Sequence, residues 1–246
     1  MNTFEKPAIL VVAAHMHDFL WRAGGTIAKY AAEGSRIKII VLSDGARGEA
    51  NYYWKQESAT EEECHRLKEE DGIRSAMMLG VKDLEMWGLP DYPMTIPDEY
   101  IEKLAHILRE FRPNVILTHS AYDHFNQDHN MTHQLVRRVC TTGSAAGFRD
   151  GLPVTVRQIP IFGFEPHMTE ISDYKPTVYV DITDVYETKL EAMKSIRTQP
   201  NMGEIYTRKA QIRGGEASNR GSRPGCKYAE CFEVYQPIAA SGGLVW

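Results

Sequence analysis

The 246-residue chain lacks several features that would sort it quickly. It has four cysteines, Cys64, Cys140, Cys226 and Cys231, and no CxxC pair among them. A cysteine-built zinc site is therefore not expected, and the thiols read as free. Any zinc here would take histidine and carboxylate ligands. No apolar run approaches the ~18 residues of a membrane span. The opening MNTFEKPAILVV has no basic region feeding a long apolar stretch, so a cytoplasmic protein is expected. Positive charge is not in excess: 28 Lys and Arg face 33 Asp and Glu, for a net charge of -5. Nucleic acid is thus not an expected partner, and neither is a membrane. No internal repeat or low-complexity tract interrupts the chain. What is there is ordinary globular composition, 43% hydrophobic and 25% charged. The length suits a single α/β domain spanning 1–246.

Short, continuous apolar runs mark the strands. AILVV (8–12) and IKIIVLS (37–43) read as buried strands, because a parallel strand covered on both faces is apolar throughout. Between them GGTIAKYAAEG (24–34) reads as a short helix closed by Gly34. Further helices are expected from about Thr60 to Leu79, from about Pro97 to Phe111, and up to about Ser195. Further strands are expected at 84–88, 114–120 and 177–183. The Gly- and Arg-rich stretch 213–225 reads as a loop. Strands that alternate with helices predict an α/β fold with a mainly parallel sheet.

Ligands of open α/β sheets bind outside the carboxyl ends of the strands. Polar side chains concentrate there in this chain. His15, His17 and Asp18 follow the first strand, and Asp44, Arg47 and Glu49 follow the second. His119, Asp123, His124, Asn126, Asp128, His129 and His133 follow the strand at 114–120. A catalytic zinc keeps three protein ligands and one open position. The His-x-x-Asp pair can supply two ligands and the later cluster the third. A lone histidine would read as a turn or capping residue; two dense clusters at strand ends favour a metal. His119 reads as buried, hydrogen-bonded support. His133, four residues after His129, shares its helix face and reads as packing. Asp128 reads as an orienting partner for a ligand or catalytic group.

VVAAHMHDFLWRAGGTIAKYAAEG resembles the opening motif of the PIG-L/LmbE family of zinc-dependent N-acetylsugar deacetylases, where A-H-P-D-D precedes GG and an H-P-D-H segment comes later. The resemblance implies a three-layer Rossmann-like fold and zinc on His15, Asp18 and His129. Two positions differ. The family's general-base aspartate is His17 here, and the first histidine of H-P-D-H is Asn126. HxxDFLWRAGG, DGARGE, LPDYPM, THSxxDxxNxDH, GFEPH and YAE together resemble the 4-oxalomesaconate hydratase branch of the superfamily. That branch adds water across a C=C bond in gallate and protocatechuate catabolism. The resemblance implies Glu49 and His167 as the acid/base pair, and leaves His17 as a bystander near the metal.

The implied substrate, a small unsaturated keto tricarboxylate, needs cations, and arginine binds carboxylates bidentately. Of Arg22, Arg47, Arg208, Arg213, Arg220 and Arg223, two stand out. Arg47 shares a loop with Glu49, and Arg213 lies in the Gly-rich stretch; Asn126 is a further substrate-binding candidate. Tyr52, Tyr53 and Trp54 read as a lid, an oligomer interface or core. A homo-oligomer is the expected assembly. The competing reading is a deacetylase in which His17 serves as base.

Overall fold

The computed structural model describes residues 6–155 and 159–236. Its centre is strand β1 (Ala8–His15), every residue of which is buried. β1 pairs in parallel with β2 (Arg36–Ser43) on one side and β4 (Val115–His119) on the other. β3 (Asp83–Met86) extends the sheet beyond β2, and β5 (Ile161–Phe164) extends it beyond β4, both in parallel. β7 (Ala229–Val234) then pairs antiparallel with β5 and with β6 (Val178–Asp181), giving the order β3-β2-β1-β4-β5-β7-β6. The chain turns to opposite sides of β1, so a topological switch point lies between the carboxyl ends of β1 and β4.

Six α-helices cover the sheet in the described residues: α1 (Asp18–Ala32), α2 (Glu61–Met78), α3 (Asp98–Phe111), α4 (Gln127–Ser144), α5 (Tyr186–Lys194) and α6 (Met202–Asn219). Successive strand side chains point to opposite faces. Val11 and Ala13 therefore join one core with Phe19, Leu20 and Ile27 of α1 and Met193 of α5. Leu10 and Val12 join a second core with Leu104 and Leu108 of α3 and Val136 and Val139 of α4. Two cores on one sheet make the three layers. All four cysteines are free and buried, and no described helix is long and apolar enough to cross a membrane.

α4, β5 and β7 are additional to the elements read from the sequence, and two stretches depart from that reading. α1 starts at Asp18, not at Gly24, so Gly24 and Gly25 lie inside the helix. The reason is a side chain placed in its hydrogen-bond ladder. The Gly25 and Thr26 N–H groups donate to the Glu230 carboxylate at 2.8 and 2.7 Å. Lys189 Nζ donates to the Trp21 carbonyl at 2.9 Å and pairs with Glu230 at 2.7 Å. Gly25 also makes room: a Cβ there would sit 2.5 Å from Ile182 Cδ1. The stretch read as a loop at 213–225 is helical as far as Asn219. Ala210, Gly214 and Ala217 form a small-residue stripe that is buried. At Gly214 a Cβ would meet the Lys227 carbonyl oxygen at 2.3 Å, so the glycines here permit close packing and do not break the helix.

Candidate metal centre and cleft

The switch point gathers side chains from several segments. His15 ends β1, Asp18 opens α1, and His129 lies in the first turn of α4. Asp18 Oδ2 accepts from the His15 backbone N–H at 2.9 Å. The same oxygen lies 3.3 Å from His15 Nδ1 and 3.5 Å from His129 Nε2. Those two ring nitrogens are buried and have no hydrogen-bond partner.

Each histidine's other nitrogen is held by a carboxylate. His15 Nε2 lies 3.1 Å from Asp128 Oδ2, and His129 Nδ1 lies 2.9 Å from Asp123 Oδ2. A carboxylate accepts and cannot donate, so each outer nitrogen carries a proton and the inner nitrogens are the atoms left to face an ion. Two orphaned imidazole nitrogens around one carboxylate oxygen fit a divalent ion of the zinc type. Glu49 Oε1 is 3.7 Å from His15 Nδ1 and could enter the same sphere. Asp18, His119 and His129 also cluster closely enough to hold an ion. His119 Nε2, however, accepts the Ala14 N–H at 2.9 Å, which occupies its lone pair. His133 Nδ1 meets the His119 carbonyl at 2.8 Å and braces the segment from behind.

Burial alone would push His15 down, but the carboxylates of Asp128 and Asp18 and the charge of Glu49 outweigh it and raise it to about 10. Burial likewise opposes the charge of Asp18, and the neighbouring histidines hold it well below the usual carboxylate range. Asp128 accepts from the Tyr92 and Met94 N–H groups, each at 3.0 Å, which orients it for His15.

A cleft of about 340 Å³ opens over these ligands. Asp18, His129, Glu49, His167 and Asn126 all line it. Glu49 follows β2 and is held from both oxygens. Tyr92 Oη donates to Oε1 at 2.7 Å, Asn126 Nδ2 donates to it at 3.1 Å, and Gln199 Nε2 donates to Oε2 at 3.4 Å. Burial and the charge of Asp18 would raise Glu49, but the charges of His15 and His129 and the Tyr92 hydroxyl leave it below the usual range. Asn126 also caps α4, accepting the His129 N–H at 3.3 Å. His167 stands exposed at the mouth, and burial of part of its ring with Arg22 and Lys209 nearby lowers its pKa.

The two favoured arginines are not in the lining. Arg47 is exposed and borders an adjoining cavity of about 810 Å³. Arg213 is engaged at 2.7 Å by both Glu165 and Glu216. The cations that do line the cleft are Arg22 and Lys55. Arg22 donates to Asp18 Oδ1 at 3.3 Å and to the Glu165 carbonyl at 2.5 Å. His17 is not in the lining either. It is 1% exposed beneath Gln199, and burial and Lys68 push its pKa well down. Of the aromatic trio, Tyr52 lines the cleft, Tyr53 is core, and Trp54 Nε1 donates to the Ala46 carbonyl at 2.7 Å.

Sequence reasoning passed over Tyr92 and Gln199 as site residues. Tyr92 sits in the LPDYPM segment, and its ring stacks on His15 at 5.6 Å. Gln199 follows α5, and nothing local in the sequence ties it to Glu49, 150 positions away.

A mainly parallel sheet with carboxylate-backed histidines at its switch point, under a cleft lined by Glu49 and His167, has the donor set and the opening that a metal-dependent α/β enzyme would need. The chain belongs to the PIG-L family: the model described as "PIG-L: GlcNAc-PI de-N-acetylase" matches residues 10–140. It is 36% identical to 4-oxalmesaconate hydratase of Pseudomonas putida KT2440 over 217 residues, 88% of this chain and 83% of that protein. It is 29% identical to diacetylchitobiose deacetylase of Thermococcus kodakarensis, over 78% of this chain and 69% of that protein. Among solved structures, GalB, the 4-carboxy-2-hydroxymuconate hydratase of Pseudomonas putida KT2440, superposes with a TM-score of 0.90 at 32% identity, covering 96% of this chain and 99% of that one. The N,N'-diacetylchitobiose deacetylase of Pyrococcus horikoshii shares the fold, with a TM-score of 0.74 at 24% identity over 93% of this chain and 84% of that one.

Proposed function

We propose that the protein is a metal-dependent hydratase that adds water to the C=C bond of 4-oxalomesaconate, or of a similar unsaturated keto tricarboxylate, in gallate and protocatechuate catabolism. One observation carries the reading. Glu49 and His167 line the cleft over the ligand atoms, while His17, at the position of the deacetylase base, is sealed beneath Gln199. A deacetylase would need a base in the cleft at the His17 position. The likeness to the hydratases of Pseudomonas putida supports the same choice.

His15, Asp18 and His129 would hold the ion, with zinc as the first choice for two imidazoles and a carboxylate. When bound, it supplies Lewis acidity toward the substrate's keto and carboxylate oxygens. The rest falls to the chain. Glu49 is ionised and its three donors fix its orientation, so it receives the proton of the attacking water. The water oxygen bonds to the carbon conjugated to the keto group, and charge moves onto the keto oxygen as an enolate. His167 at the mouth delivers a proton to the adjacent carbon, which restores the keto form. A trianion arriving beside His167 raises its pKa and so loads it with that proton. Arg22 and Lys55 bind the carboxylates.

The assembly proposed is a homo-oligomer working in the cytoplasm. Ile73, Met77 and Met78 of α2 expose an apolar face that a second copy would cover.

The test follows the conjugated chromophore of 4-oxalomesaconate with metal-loaded protein. Wild type consumes it, and Glu49→Ala and His167→Ala are each slowed by at least about 100-fold. No consumption, together with acetate release from an N-acetylglucosamine derivative, would replace this reading with the deacetylase one.

A further inference from the structure

Behind Glu49 lies a group of buried polar side chains that the mechanism above does not use. Gln199 Oε1 lies 3.0 Å from His17 Nδ1 and 3.3 Å from Lys68 Nζ. The other end of the same amide, Nε2, donates to Glu49 Oε2 at 3.4 Å. Lys68 is 0% exposed within α2 and pairs with no carboxylate among the described residues. A lysine in that state is costly unless its protons are used. Gln199 is 8% exposed and reaches the cleft from the segment after α5.

The two ends of the amide are fixed by different partners. Lys68 Nζ donates at 3.3 Å to the amide oxygen, so the oxygen of Gln199 faces Lys68. An ionised carboxylate only accepts, so the nitrogen must face Glu49. That leaves His17 a single arrangement, with its proton on Nδ1 and given to Gln199 Oε1. Its Nε2 makes no hydrogen bond among the described residues.

We propose that Gln199 is a positioning residue for Glu49, and that His17 and Lys68 form a clamp that holds its amide in the one orientation able to donate. His17 is then neither base nor ligand. It stands where the deacetylases place an aspartate, and it serves the carboxylate on the far side of the amide. The role given to Glu49 rests on the hydratase reading; the clamp itself rests on the contacts alone.

The clamp predicts a pattern across variants. Gln199→Met removes the donor and lowers kcat by about 10-fold, the lower end for a hydrogen bond to a charged acceptor, with KM within about twofold. His17→Ala and Lys68→Met each lower kcat by several-fold, about 3- to 10-fold. His17→Asn, which keeps a donor, restores most of the loss. The double variant His17→Ala/Gln199→Met is no slower than Gln199→Met alone, because both act through one amide.

A second readout needs no substrate. In 15N-labelled protein, the side-chain amide signal missing from Gln199→Met identifies Gln199. That signal shifts in His17→Ala, Lys68→Met and Glu49→Ala. If it stays in place in all three, the clamp does not exist, whatever the enzyme turns over. If the substrate is consumed and Gln199→Met keeps its kcat, or the double variant is multiplicatively worse, the positioning role is overturned. If the amide signal shifts but wild type does not consume the substrate, the clamp stands and the hydratase reading fails.

Discussion

Loading the site with metal should release a proton, and the structure sets how strongly. His15 Nδ1, a ligand atom in the proposed site, is surrounded by carboxylates: Asp18 at 3.3 Å, Glu49 at 3.7 Å, and Asp128 on the other ring nitrogen at 3.1 Å. Without the ion they raise His15 to about 10, so the metal-free protein carries an imidazolium there at neutral pH. The ion must displace that proton. At pH 7 the displacement spans about three pH units, a penalty of about 4 kcal/mol at ~1.36 kcal/mol per unit. Affinity should therefore rise by about tenfold per pH unit between pH 6 and 8 from this group. Calorimetry in buffers of different ionisation enthalpy measures the protons released per ion, and chelator competition measures the affinity. Release of at least about one proton, with the stated slope, is the expected result. Binding that releases none and ignores pH would refute the charge state derived for His15. Asp128→Asn should reduce the proton release, because it removes one of the carboxylates that hold the imidazolium.

Three other perturbations follow from named contacts. Glu230→Gln leaves Lys189 buried without its charge partner and one of two α1 N–H groups without an acceptor; urea unfolding should show a loss of about 3–5 kcal/mol, and a loss under about 1 kcal/mol would show that the pair is not holding the helix. Glu165, paired with Arg213 and Lys209, is held down to about 2 despite its burial. Its folded pKa is depressed, so its contribution is complete above the unfolded value of about 4.3 and is lost as pH falls toward 2. Acid unfolding of Glu165→Gln should lack about 3 kcal/mol of that pH dependence. Arg22→Lys keeps the charge but not the planar fork, and should raise KM for the tricarboxylate by about 10-fold or more, read from steady-state kinetics.

The strands were legible because parallel strands covered on both faces are apolar throughout: Ile9–Val12 and Ile39–Leu42 announce themselves. The convergence of His15, Asp18 and His129 at the switch point was legible for a related reason, since polar clusters directly after such strands have few structural uses. Glycine misled in two places. Gly24 and Gly25 suggested a helix start, and Gly214 a loop; at Gly25 and Gly214 the actual cause was a neighbour that needed the space of a Cβ. The YAE segment carries a carboxylate, Glu230, that serves α1 and not the cleft. The cleft's cations could not be ranked from spacing, because Arg213 is drawn away by Glu165 and Glu216, carboxylates whose reach is set by the fold. Gln199 illustrates the limit, since it meets His17 across 182 positions.

The most direct test of the central claim is mass spectrometry of 4-oxalomesaconate incubated with metal-loaded protein in H2(18)O. The account predicts a single product heavier than the substrate by one labelled water, absent with Glu49→Ala. Unchanged substrate, with the label appearing in acetate released from an N-acetylated sugar, would contradict it.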